Sequence, residues 1–150
     1  MYPAGEALRE FRERVENVDE GNRNIVMLVL CRKVIAQLIV EAIEKRSGTT
    51  VFAEYDYSNV GTIAAVHKPD IALIEIPERR GTPALDILDV CAEINKAVPG
   101  CKIMLLCPDK DKGSIDVCVK AKKKSQIEDF MFYEAGVEYL ASKLEAMLPM

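Results

Sequence analysis

The sequence contains no tryptophan, a single histidine, no C-x-x-C pair and no apolar run of 18 or more residues. The lack of such a run excludes a transmembrane helix, and the charged start MYPAGEALREFRER is unlike a secretory signal. The five cysteines lack the spacing of a zinc site or a disulfide framework, which indicates reduced thiols. We therefore expect a cytoplasmic protein with no membrane contact, no metal and no cofactor.

Three common nucleotide-binding or catalytic motifs are also missing. The first apolar segment continues into CRKV rather than G-x-G-x-x-G, and no G-x-x-x-x-G-K-[ST] occurs, so dinucleotide and P-loop sites are not expected. Ser, His and Asp do not stand together at the ends of the predicted strands, as a hydrolase requires. His67 has no partner residues, so we expect it at the surface without a catalytic role.

The charge of the chain is nearly balanced, and apolar residues are plentiful. The 150 residues include 24 acidic and 20 basic side chains, and 49% are apolar, which is enough for the core of one domain. A net charge of −4 gives no general attraction for nucleic acid. We interpret the run Lys122–Lys124 as a solvated helix end, so direct nucleic-acid binding is not expected.

Apolar periodicity predicts five strand–helix pairs. The predicted strands are NIVMLVL, TTVFAEYDY, DIALIEI, CKIMLLC and IEDFMFY. The predicted helices are CRKVIAQLIVEAIEKRSG, SNVGTIAAVHK, TPALDILDVCAEINKAV, KGSIDVCVKAKKKS and EAGVEYLASKLEAML, with Ser58 and Thr82 as N-caps. One apolar face of the first of these helices is expected to contain Val34, Ile35, Leu38, Ile39, Ala42 and Ile43. This alternation predicts an α/β fold, with a parallel sheet between two layers of helices.

The first 22 residues form an extension that precedes the domain of residues 23–150. Apolar residues at helical spacing in the extension are Leu8, Phe11, Val15 and Val18. The intervening residues are mostly Glu and Arg, so the pattern predicts an amphipathic helix that ends near Gly21. Its apolar stripe must be covered, either by the flank of this chain's own sheet or by a second subunit.

Functional sites of parallel α/β sheets lie at the carboxyl ends of the strands. The residues that the pattern predicts at this edge are Leu30, Cys31, Glu75, Cys107 and Tyr133. Glu75 is the one charged residue of the apolar segment IALIEI. An unpaired charge is costly inside a sheet, so we expect this carboxylate to reach water at the edge.

From about residue 24 to residue 148, the chain resembles the receiver (CheY-like) domain of bacterial response regulators. The resemblance rests on KPDIALIEIP, INKAVPGCKIMLLC and IEDFMFYEAG, which match the layout of the family's segments around the third, fourth and fifth strands. It implies a flavodoxin-like, doubly wound sheet of five parallel strands in the order 2-1-3-4-5, with helices on both faces. The predicted N-terminal helix is an addition to that plan.

The resemblance also implies where the family's phosphorylation residues would lie. The acidic pair that binds Mg²⁺ falls on Leu30 and Cys31, and the phosphoacceptor aspartate falls on Glu75. The hydroxyl residue after the fourth strand falls on Cys107, and the lysine after the fifth falls on Tyr133. Leucine and cysteine offer Mg²⁺ none of its preferred oxygen ligands, so the resemblance implies a receiver that does not accept phosphate.

The function implied is therefore that of a pseudo-receiver, which is a signalling module and not an enzyme. It would act in two-component-type signal transduction or transcriptional control, by contact with a protein partner or an effector domain. Receivers often dimerise through their fourth and fifth helices and fifth strand, so we expect a homodimer. The family's aromatic switch position falls on Phe130, and Glu75 either mimics a phosphorylated aspartate or only ends a strand.

Two alternatives stay open from the sequence. The less polar strand ends suggest a small-ligand or thiol redox sensor that uses a pocket lined by Leu30, Cys31, Cys107 and Tyr133. The second alternative is phosphorylation of another acid, such as Asp70 or Glu78, although neither has neighbouring acids for Mg²⁺.

Overall fold

The structure is a computed structural model, and it describes residues 24–45, 48–77 and 83–149. The predicted helix of residues 1–22, the Thr82 cap and Glu78 lie outside the described residues. Within the described ranges, the element order is the predicted alternation of strands and helices.

Five parallel strands form one sheet, and their order is the predicted β2-β1-β3-β4-β5. Their bounds are β1 Asn24–Val29, β2 Thr49–Glu54, β3 Ile71–Glu75, β4 Lys102–Cys107 and β5 Asp129–Phe132. The central strands β1, β3 and β4 are almost wholly buried, because helices cover both faces of the sheet. Their continuous apolar runs, without polar alternation, therefore reflect burial on two sides.

Within the described ranges, four helices connect the strands and a fifth follows β5, and together they form two layers. Their bounds are α1 Lys33–Glu44, α2 Val60–His67, α3 Pro83–Ala97, α4 Lys112–Lys123 and α5 Val137–Met147. α1 packs against α5 on one face of the sheet, while α2, α3 and α4 pack in sequence on the other. We call the two cores beneath them the α1/α5 core and the α2–α4 core. Successive residues of a strand enter alternate cores.

The start of α2 differs from the prediction. Ser58 does not cap α2 but lies in a 3₁₀ turn, Tyr57–Asn59, that leads into it. The carboxylate of Asp56 caps this turn by accepting hydrogen bonds from the Ser58 backbone N–H at 3.0 Å and from the Ser58 hydroxyl at 2.6 Å. An aspartate is a strong N-cap, so the turn begins two residues earlier than the sequence pattern indicated.

The apolar face of α1 is wider than the part of it that packs against the sheet. Its buried residues are Ala36, Ile39, Ala42 and Ile43. In contrast to the prediction of one apolar packing face, Val34 is 72% exposed and Leu38 is 46% exposed. These two residues are one helical turn apart, so they form a joint apolar patch on the outer surface of α1.

Candidate functional site at the carboxyl edge of the sheet

The carboxyl ends of the strands bring the predicted residues to one edge. Leu30, Cys31 and Arg32 form the loop between β1 and α1, and Glu75 ends β3 beside Leu106 of β4. Tyr133 follows β5 and is tied to β4 by a 3.1 Å hydrogen bond from its backbone N–H to the Cys107 carbonyl. Adjacent parallel strands thus place residues distant in sequence at a common edge.

Glu75 is fully buried, which contradicts the expectation that its carboxylate reaches water. Its Oε1 accepts hydrogen bonds from the backbone N–H groups of Cys31 at 3.0 Å and Arg32 at 3.3 Å, and from the Cys31 thiol at 3.2 Å. Its Oε2 accepts a 2.5 Å hydrogen bond from Nε of Arg32. Burial is tolerated because the charge is both paired and hydrogen-bonded.

Arg32 is the central residue of the site, although it was not among the site residues predicted from the sequence. Its Nε forms the ion pair with Glu75, and its guanidinium carbon lies 4.2 Å from the centre of the Tyr133 ring. This is the geometry of a cation–π interaction. Nη2 of Arg32 is buried without a hydrogen-bond partner among the described residues, while the side chain as a whole is 41% exposed. A carboxylate that is buried at a strand end requires a cation beside it. The basic residue directly after β1 was the signal in the sequence that could have identified this cation.

Two tyrosine hydroxyls donate hydrogen bonds to the backbone next to the Arg32–Glu75 pair. Tyr57 donates a 2.7 Å hydrogen bond to the backbone carbonyl of Glu75, and Tyr133 donates one to the backbone carbonyl of Ile76. Both hydroxyls therefore satisfy carbonyl groups where β3 ends. Tyr57 comes from the turn before α2 and was also missed by the sequence analysis, because its sequence position gives no sign that it reaches β3.

The sheet separates Cys107 from Leu30 and Tyr133, with which it was predicted to line a pocket together with Cys31. Leu30 and Tyr133 belong to the α1/α5 core, whereas Cys107 lies in the α2–α4 core. The reason is strand alternation: Leu106 shares the α1/α5 side with Leu73, and the next residue, Cys107, enters the opposite core. Cys107 is thus near Glu75 along the edge but on the other face of the sheet.

Four of the five thiols have a raised pKa, whereas the hydrogen bond with Cys118 lowers the pKa of Cys107. Partial burial raises the pKa of Cys31, and the hydrogen bond to Glu75 and its charge raise the pKa further. Burial raises the pKa of Cys91 and of Cys101 to about 12. Cys31 is the exposed cysteine and the other four are buried. A sensor thiol is expected to be exposed and to have a lowered pKa, because the thiolate is the reactive form. Cys31 is exposed but its pKa is raised, and Cys107 has a lowered pKa but is buried.

The remaining candidates lie away from this edge. Asp70 precedes β3 at the amino edge, where its Oδ2 accepts a 2.8 Å hydrogen bond from the Ile25 backbone N–H. This hydrogen bond holds β1, and Asp70 lies at the opposite edge of the sheet from Glu75. The ring of His67, at the end of α2, packs edge-on to that of Phe52 with 5.4 Å between ring centres.

Phe130 and its neighbours line an open groove beside β5, with a volume of about 760 Å³. Phe130 is partly buried against the α2–α4 core and meets Phe132 edge-on, with 5.8 Å between ring centres. Phe132 is 39% exposed, and Tyr139 of α5 is 60% exposed. We call this surface the β5 groove.

Ion pairs join the two helices across the β5 groove. Asp129 accepts from Lys122 of α4 at 3.0 Å and from Lys143 of α5 at 2.9 Å. Although partial burial acts in the opposite direction, the hydrogen bonds from Lys143 and Lys122 lower the pKa of Asp129 to about 2. Lys122, the first residue of the lysine run, is therefore paired with an acid of the same chain.

Mg²⁺ does not fit the residues at the carboxyl edge. Leu30 is buried and apolar, Cys31 offers a thiol, and the oxygens of Glu75 already hold Arg32. Mg²⁺ requires several hard oxygen ligands. Across the part of the chain that the structure describes, no group of three or more His, Cys, Asp or Glu is suited to a metal ion.

None of the helices in the described ranges has the length and apolar content to cross a membrane.

The sheet order, the helix layers and the edge site together define the receiver (CheY-like) fold. A response regulator from Thermotoga maritima superposes with a TM-score of 0.67 at 20% identity, over 83% of this chain and 97% of the other. A LuxR-family DNA-binding response regulator from Staphylococcus aureus gives 0.65 at 17% identity, over 83% and 98%. A two-component response regulator from Clostridium difficile gives 0.66 at 18%, over 83% and 95%. No family model and no curated protein matches the chain.

Proposed function

We propose that the chain is a receiver-like signalling module that cannot be phosphorylated and that acts by protein contact, without catalytic activity. One observation carries the proposal: the carboxylate at the phosphoacceptor position, Glu75, is fully buried and bonded to Arg32. Such a module belongs in two-component-type signal transduction or transcriptional control, where it would regulate a protein partner or an effector domain.

Electrostatics at the edge support the loss of phosphotransfer. Transfer of a phosphoryl group needs cations that neutralise the charge developing on its oxygens. Among the residues that the structure describes, Arg32 is the one cation bonded to Glu75, and its Nε donates to the carboxylate at 2.5 Å. In the receiver family, the positive charge at this edge comes from a lysine after β5. In this chain the positive charge comes from Arg32 of the β1–α1 loop, whose guanidinium group lies over the Tyr133 ring. We infer that the pair holds the edge in a single state, independent of a phosphodonor.

Incubation with acetyl phosphate and Mg²⁺ is expected to leave the protein without a stable acyl phosphate. Glu75→Asp is expected to stay unlabelled too, because Leu30 and Cys31 provide no oxygen for the metal. Intact-mass spectrometry, followed by a hydroxylamine-sensitivity assay, measures the label. A phosphorylatable receiver treated in parallel is the positive control. Hydroxylamine-sensitive phosphate on Glu75, or on any other residue of this chain, would overturn the proposal.

We propose the β5 groove as the contact surface for a second copy of this chain, which forms a homodimer. The groove combines exposed aromatic rings, Phe132 and Tyr139, with acids and lysines around it. Under two-fold symmetry, the exposed rings of one copy can pack against those of the other, with the charged residues at the rim. The resemblance to receivers, which often dimerise through this face, supports the same choice.

Phe132→Asp combined with Tyr139→Asp is expected to convert a dimer to a monomer, because buried rings at an interface centre carry most of its energy. Light scattering coupled to gel filtration measures the mass over a dilution series. Val66→Asp is the matched control, since Val66 is also an exposed apolar residue, at 56%, but lies on α2. A wild-type protein that is monomeric throughout the series, or a double variant that remains dimeric, would contradict the groove as dimer surface.

A further inference from the structure

The apolar patch on α1 has no cover within the described residues. Val34 and Leu38 are exposed by 72% and 46%, although other apolar residues of α1 are buried beneath the same helix. Beside the patch, Lys33 lies over the exposed ring of Tyr55, with 5.4 Å from Nζ to the ring centre. Exposed apolar residues that are adjacent, rather than scattered singly, indicate a contact surface.

The chain outside the structure ends close enough to reach this patch. Residues 1–23 lead directly into Asn24, which begins β1 at the amino edge of the sheet. α1 runs back along the sheet after β1, so its last turn returns to that same edge. Asn24 also lines an open groove of about 540 Å³ with Ser142 and Leu148 of the α5 end, on the face of the sheet that α1 and α5 cover.

The apolar patch on α1 is shorter than the N-terminal stripe and matches its first part. Val34 and Leu38 are four residues, or about 6 Å, apart along α1, and Leu8 and Phe11 are three residues, or about 4.5 Å, apart along a helix. A helix of residues 6–20 that packs beside α1 and leads into Asn24 would run parallel to α1, which would bring its first turns level with Val34 and Leu38. The few residues between Val18 and Asn24 reach about 20 Å when extended, which is enough to cross one helix diameter.

We propose that residues 6–20 dock as a helix along α1 of the same chain, with Leu8 and Phe11 on the Val34–Leu38 patch. A short tether gives the segment an effective concentration in the millimolar range at the patch. Docking in the same chain is therefore favoured over exchange with a second copy at ordinary protein concentrations. This inference does not depend on the proposed loss of phosphotransfer.

Limited trypsin digestion of the full chain tests the docking at Arg9, Arg12 and Arg14, with each cut followed by mass spectrometry. Val34→Asp combined with Leu38→Asp is expected to raise the initial cleavage rate at these arginines at least about tenfold, because a charged patch repels the apolar stripe. Val66→Asp, the matched exposed control, is expected to leave the rate unchanged. Both positions are exposed, and circular dichroism verifies that each variant is folded.

Concentration dependence separates the two occupants of the patch. Docking within one chain predicts the same protection at every protein concentration, and Val34→Ala with Leu38→Ala is expected to give an intermediate rate. Equal cleavage rates in wild type and the aspartate double variant would overturn the proposal. Protection that disappears on dilution would overturn it as well, because it would identify a second copy as the occupant.

Discussion

Replacing Arg32 with methionine is expected to lower the free energy of unfolding by about 2 to 4 kcal/mol, because a buried charge loses its partner. Glu75 would remain in the sheet with two backbone N–H groups and the Cys31 thiol, but without a cation. The expected loss lies toward the lower end of the range for buried pairs, because Arg32 itself is 41% exposed. Urea denaturation followed by circular dichroism measures the change.

The companion variant neutralises the acid instead. Glu75→Gln keeps an oxygen for the two backbone N–H groups, so its loss is expected to be about 1 to 2 kcal/mol. The double variant is expected to lose less than the sum of the single losses, since the uncompensated charge is removed, with a coupling of about 1 to 3 kcal/mol. Lys33→Met, next to Arg32 on the surface, is expected to change stability by less than about 0.5 kcal/mol. Additive single losses would mean that Arg32 and Glu75 do not stabilise each other.

The Cys31 thiol is expected to react faster after Glu75→Gln and more slowly after Arg32→Met. Glu75 accepts the thiol hydrogen bond and places a negative charge beside it, so its neutralisation lowers the pKa of Cys31. Arg32 acts in the opposite sense, since its positive charge favours the thiolate. Each unit of pKa lost is expected to raise the alkylation rate about threefold, because the larger thiolate fraction outweighs its lower nucleophilicity.

Iodoacetamide labelling of the native protein between pH 7 and 10 measures these rates, followed by peptide mapping. For wild type, the rate is expected to keep rising with pH above the ordinary thiol value of about 8.5, because the pKa is raised. Cys31→Ser is the control and is expected to remove the native reaction, since the other four cysteines are buried. Equal rates in all three Cys31-containing proteins would show that Glu75 does not control the thiol. A fast thiol in wild type would restore the redox-sensor hypothesis.

The fold was predictable because burial leaves a periodic record in the sequence. Continuous apolar runs marked β1, β3 and β4, since a strand covered on two faces carries few polar residues. Alternation with amphipathic helices then left few topologies, because parallel crossovers are right-handed. Helix starts were less predictable: the turn before α2 is capped by Asp56 and not by Ser58, and both residue types are good caps.

The candidate site was predictable in place but not in chemistry. Leu30, Cys31, Glu75 and Tyr133 were correctly assigned to the carboxyl edge of the sheet. The ion pair was missed because the reach of the Arg32 side chain depends on the path of the β1–α1 loop. Cys107 was expected near Glu75 because both end strands, yet the side on which each points depends on the register between β3 and β4.

The sequence by itself determined the order of strands and helices, the apolar and thiol side chains of Leu30 and Cys31 after β1, and the placement of one acid at the end of β3. Those properties depend on residue type and spacing, which are read along the chain. Tertiary structure alone decided that Glu75 is buried, that Arg32 neutralises it and that Tyr133 supports Arg32. Such pairings join residues about 40 to 100 positions apart, and the energy that selects them exists only once the sheet excludes water from the edge.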